Sequence, residues 1–164
     1  MLKTLKNYQI LDLVEGFMRI GKMVIESNKK FSYALILNDE RIQSNAKAIM
    51  GIAKPSESYA EYEEKRQAII SKYADIDADG NIILNDNRWV VFKEGIKEQV
   101  LEELGTLNEE YLDIIDKRNK DIEEYNDLLD ADVELNIHMV DIDDVPEEVG
   151  KDVFLMKLLM PMIN

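Results

Sequence analysis

Three aspartates in alternate positions, Asp75, Asp77 and Asp79, followed by Gly80 and Asn81, are the residues whose types and spacing most openly offer chemistry. Asp75, Asp77, Asp79 and Gly80 take positions one, three, five and six of an EF-hand calcium loop, and Ile82 takes position eight. Such spacing wraps carboxylates around one hard cation while glycine permits the tight turn. Asn81 and Asp86 extend the candidate donor set. Asp86 stands at position twelve, where its short arm is a poorer bidentate ligand than glutamate. The exiting segment should be helical, yet Trp89-Val90-Val91-Phe92 reads as a strand. The competing reading is an acidic turn in which Gly80-Asn81 adopts positive φ and opens a β-hairpin. The residues favour the turn, with calcium as the alternative and no other cofactor expected.

A second set is basic. Arg19, Lys22, Lys29, Lys30 and Arg41, with Tyr33 and Asn38 between them, can line an anion-binding surface if the first two helices form a hairpin. In an oligomer such surfaces can hold a nucleotide by charge and stacking. The competing reading is exposed lysines on helix surfaces. No catalytic residues are assigned. His138 is the lone histidine, expected to face solvent, and no serine or cysteine elbow, GxGxxG or Walker loop is present.

Composition bounds these readings. The 164 residues are 46% hydrophobic and 33% charged, with no cysteine, which predicts one soluble domain over residues 1–164 in a reducing compartment. No apolar run approaches the ~20 residues of a membrane span, and Met1 to Lys6 does not resemble a signal peptide. The net charge of −14 is uneven. Residues 1–50 carry eight Lys/Arg against five Asp/Glu, whereas the rest carry twelve against twenty-nine. An acidic body repels phosphates, so DNA binding is not expected. Acidity points to solubility, a basic partner or mimicry of nucleic-acid charge.

The elements that must position these residues are mostly helices. Leu11, Val14, Phe17, Met18, Gly21 and Val24 mark an amphipathic helix over about 7–25. Tyr33, Ile36, Ile42, Ala46, Ile49 and Met50 mark a second over about 32–53, ended before Pro55. Ser58 and Glu61 form a capping box for a third that reaches Tyr73. Ile82 to Leu84 and Trp89 to Phe92 flank the turn Asn85-Asp86-Asn87-Arg88, a hairpin signature. A fourth helix over about 93–104 should stop at Gly105. A fifth, opened by Thr106 and Glu109, carries a near-heptad stripe from Leu107 to Leu129. Val133, Leu135, Ile137 and Met139 alternate as a strand that can join the hairpin in a three-stranded sheet. The last helix, over about 152–160, is almost wholly apolar. The reading is a mainly α (α+β) domain of about six helices with a minor β-hairpin or small three-stranded antiparallel sheet, and no internal repeat.

Taken in order, Phe31 to Ala34, Tyr62 to Arg66 with Ile70 to Tyr73, Asp79-Gly80-Asn81 and Val133 to Ile137 resemble an uncharacterised family of small proteins encoded by tailed phages and prophages. The closing Leu155 to Ile163 is similar to that family's C-terminal helix. The helix over about 106–129 departs from the pattern as an insertion. The resemblance implies phage origin, no known enzymatic activity and an Asp-Gly-Asn turn between a helix and a short strand. The expected function is a non-enzymatic accessory protein that counters host defence by binding an effector or sequestering a charged nucleotide messenger. The alternatives are a virion or tail-assembly component and a calcium-binding regulatory module. A protein partner or self-association is expected, in the host cytoplasm or, for the assembly reading, the phage particle.

Overall fold

The computed structural model describes residues 1–23 and 28–164. It is mainly α with a small two-stranded antiparallel sheet. The chain, expected as one domain, packs as two compact units: residues 1–54 with 123–164, and residues 55–122.

In the first unit, β1 (Leu2–Lys6) runs into α1 (Asn7–Ile20), and α2 (Lys29–Ile52) follows. The Asn28 side chain accepts from the N–H groups of Lys30 and Phe31 at 3.0 and 3.2 Å, which starts α2 three residues earlier than expected. The buried face of α1 is Ile10, Leu13, Gly16 and Ile20, one residue off the predicted stripe, a rotation of about 100°. Leu11, Val14 and Phe17 flank that face, and Met18 is exposed. The end of the predicted helix, Val24 and Ile25, lies outside the described residues. On α2 the buried set is Phe31, Ala34, Asn38, Ile42, Ala46 and Ile49, while Tyr33, Ile36 and Met50 are exposed. Gly16 is required by close approach: a Cβ there would lie 2.9 Å from Leu159 Cδ2.

The strand expected near 133–139 forms as β2 (Asp132–Asn136), but not beside the hairpin. It pairs antiparallel with β1, Leu2 opposite Asn136 and Lys6 opposite Asp132. This replaces the predicted three-stranded sheet. The α-amino group of Met1 closes the ladder on the Ile137 carbonyl at 2.8 Å. A 3₁₀ turn (Ile142–Asp144), α6 (Glu147–Gly150) and α7 (Val153–Leu159) complete this unit. Asp152 caps α7 by accepting from the Leu155 N–H. Leu155, Leu158 and Leu159 are buried, whereas Val153 and Phe154 face solvent, so only one side of this apolar helix is used.

The second unit holds α3 (Glu57–Tyr73) and α4 (Lys97–Glu110). Ser56, not Ser58, caps α3, accepting from the Tyr59 N–H at 3.2 Å. Gly105 does not end a helix; it lies inside α4, and Thr106 donates back to the Glu102 carbonyl instead of opening a new helix. The break comes at Tyr111 (φ −106°, ψ 16°), after which α5 (Leu112–Asp130) begins. The predicted heptad stripe is therefore divided. Leu107 and Tyr111 join Tyr62 in the core of the second unit, while Tyr125 and Leu129 pack on the core of the first.

Candidate functional site

Between α3 and α4 the chain makes three short extended segments around residues 74–76, 82–84 and 90–92. Each pairs antiparallel with both others: Ala74 with Phe92, Ile76 with Ile82, and Leu84 with Val90. The hydrogen bonds close a ring. Asp75 N–H donates to the Val91 carbonyl, Val91 N–H to Ile83, and Ile83 N–H to Asp75, all at 2.8–2.9 Å. The hairpin foreseen at 82–92 is two sides of this triangle, and the run Ala74 to Asp77 is its third.

Two turns of one construction link the sides. Asp77 Oδ1 accepts from the N–H groups of Asp79 and Asn81, each at 2.9 Å, and Gly80 has φ +85°. Asn85 Oδ1 accepts from Asn87 and Trp89, each at 3.0 Å, and Arg88 has φ +63°. The arrangement is a structural repeat that the sequence reading missed. Its signal was present: Asp77 and Asn85, then Gly80 and Arg88, recur at one interval in the chain. An arginine in a conformation that favours glycine concealed it.

This geometry assigns the aspartates. The Asp77 carboxyl is held below its ordinary range chiefly by the Asn81 N–H, with the Asn81 side-chain amide and the Asp79 N–H adding to it. Asp75 accepts from the Ile76 N–H at 3.0 Å. Asp79 and Asp86 are exposed on separate turns. Among the described residues, no three His, Cys, Asp or Glu side chains come close enough to hold a metal ion. Asp75, Asp77, Asp79, Asn81 and Asp86 form a helix-to-β junction, and Asp77 and Asn81 are occupied in building its first turn.

The basic set is dispersed through the first unit. Arg19 donates Nε and Nη2 to Glu15 at 3.0 and 2.8 Å and lies over the Phe154 ring at 4.6 Å. With Lys22 it lines a groove that also contains Glu15 and Asp152. Lys30 Nζ pairs with both Asp144 oxygens at 3.0–3.1 Å, and this hydrogen bond raises its pKa above the ordinary value. Lys29 and Lys30 border a groove of about 580 Å³ whose other walls include Asp144, Glu147 and Glu148. Arg41 donates to the Asn136 carbonyl at 3.0 Å. Asn38 is fully buried and braces the backbone of His138, donating to its carbonyl at 2.9 Å and accepting from its N–H at 2.7 Å.

One juxtaposition was not foreseen. Tyr33 meets His138 edge to face, ring centroids 5.6 Å apart, and His138 is half-buried where exposure was expected. Both rings line a cavity of about 220 Å³ with Lys30, Asp141 and Asp144. One ammonium against two carboxylates makes it unsuited to an anion.

No protein-family model, curated protein or solved structure matches this chain. Among the described residues, no helix is long and apolar enough to cross a membrane.

Proposed function

We propose that this chain is a non-enzymatic accessory protein of the phage type, countering host defence by binding a protein effector rather than by sequestering a nucleotide messenger. One observation carries the choice between those two modes. The three grooves bordered by Lys29 and Lys30, by Arg19 and Lys22, and by Lys30 with Tyr33 each contain at least as many carboxylates as ammonium or guanidinium groups. A phosphate entering any of them meets negative charge at contact distance, and the exposed ion pairs already made would have to open first. The overall charge of −14 suits a basic protein surface instead.

The test has two arms. Supplying the chain to a host with an active defence system should restore plaque formation, with a host protein co-purifying in fixed stoichiometry. Calorimetric titration with cyclic mono- and dinucleotides should give no binding heat; a saturating isotherm would return the nucleotide mode. Stoichiometric presence in purified virions, with no restored plaques, would assign the chain to particle assembly.

A further inference from the structure

The triangle between α3 and α4 has two faces, set by its register. Its three pairs are of the non-hydrogen-bonded type, since the ring of hydrogen bonds passes through Asp75, Ile83 and Val91 on either side of them. Paired residues share a face, and so do residues two apart on one segment. Ala74, Ile76, Ile82, Leu84, Val90 and Phe92 therefore lie on one side, and all six are apolar. Ala74 is buried and Phe92 half-buried, but Ile76 is 53%, Ile82 39% and Leu84 51% exposed. Trp89, on the second turn, is 71% exposed and by the same alternation lies on the other side. Three adjacent aliphatic side chains left open on one face are uncommon on a free surface and typical of a binding one.

Charge selects the occupant. Asp77, Asp79 and Asp86 stand exposed on the turns around this face, and residues 55–122 carry nine Lys/Arg against seventeen Asp/Glu. A second copy docking face to face would set these carboxylates against one another. The backbone donors of Asp75, Ile83 and Val91 are used within the ring, so these positions cannot extend a ladder to an added strand. We infer that the face formed by Ile76, Ile82 and Leu84 docks a basic segment of a partner protein, its aliphatic or aromatic side chains against the apolar patch and its Lys/Arg on the aspartate rim. This deepens the effector-binding reading and rests on it.

Calorimetric titration reads binding at this face. The probe is a short synthetic peptide of alternating lysine and leucine, with a lysine-glycine peptide of equal charge as control. The lysine-leucine peptide should bind at least tenfold tighter than the control. The double variant Ile82→Ser/Leu84→Ser, at exposed positions, should keep its helical circular dichroism and lose at least tenfold in affinity. Asp79→Asn/Asp86→Asn should weaken binding severalfold at low salt and flatten its salt dependence. Equal binding of both peptides or an unaltered Ile82→Ser/Leu84→Ser variant would each overturn the assignment. Its failure leaves the plaque assay to judge the effector reading separately, and failure of that assay leaves the peptide result unchanged.

Discussion

The two units handle apolar side chains in opposite ways. Residues 1–54 and 123–164 enclose a core that includes Phe31, Leu13, Ile42, Ile137, Leu155 and Leu159, all essentially without solvent exposure. In residues 55–122 the buried cluster comprises Tyr62, Leu107 and Tyr111, bordered by Tyr59, Ile69, Ile114 and Ile115. Its tyrosines are tied to polar groups: Tyr62 to Asn108 at 2.8 Å, and Tyr111 to Lys65 and Glu61 at 2.5 and 2.9 Å. Meanwhile Ile76, Ile82, Leu84 and Trp89 of the same unit remain in water. The first unit derives stability from burial; the second relies more on polar ties and leaves apolar surface available for contact.

The contrast is most directly broken in the first core. Phe31→Ala should cost about 3–5 kcal/mol in urea unfolding. If Leu107→Ala costs as much, the units do not differ as described. Asn38→Ala should follow at about 2–3 kcal/mol, because the N–H and carbonyl of the half-buried His138 lose their partner together. Tyr111→Phe should cost about 1 kcal/mol, the value of a hydroxyl that joins Lys65 to Glu61. The smallest change should be a gain: Arg88→Gly, relieving a left-handed arginine, should add about 0.5–1 kcal/mol.

Acid should separate the units as well. The Glu61 carboxyl is lowered from its ordinary 4.5 by Lys65 and then Tyr111, and that of Glu103 by Lys72 and then Tyr73. A carboxylate lowered in the folded state contributes stability that is complete above its unfolded pKa and disappears as pH falls through the folded value. Melting of the second unit should therefore weaken below about pH 4.5, and Glu61→Gln with Glu103→Gln should flatten that dependence. Lys65 is raised by the hydroxyl of Tyr111 and by Glu61, so its contribution persists below the unfolded lysine pKa and is lost only in strong alkali. Calcium adds a sharper test of the aspartate turn. The cation should leave the melting temperature unmoved, whereas Asp77→Ala should lower it with or without calcium; a calcium-dependent rise lost in that variant would restore the loop reading.

Much of the fold was legible because helix patterning is local. The ends of α2 and α3, the turn residues and the alternation from Val133 to Met139 all lie within a few positions of their cause. Faces were harder to read than elements. On α1 the choice between the Ile10-Leu13 line and the Leu11-Val14 line depends on where Leu159 packs, and only Gly16 lets it approach so closely. Gly105 read as a stop, yet one helical glycine costs only about 1 kcal/mol, and packing of Leu107 and Tyr111 against Tyr62 outweighs that. Asn38 and Tyr33 looked alike as polar groups for a ligand. The structure buries one as a backbone brace and leaves the other beside His138.

By itself the sequence determined the helical character, the acidic surface, the turn at Gly80-Asn81 and the absence of a recognisable catalytic motif, since these follow from residue type and short-range spacing. Tertiary structure decided the pairing of β2 with β1 across most of the chain, the division into two units, the pairing of Lys30 with the distant Asp144, and the closing of three segments into a ring with an apolar face. Those outcomes depend on which groups meet after the chain has returned on itself. Local spacing does not encode such meetings, because the energy that selects them comes from burial and charge pairing between residues far apart in sequence.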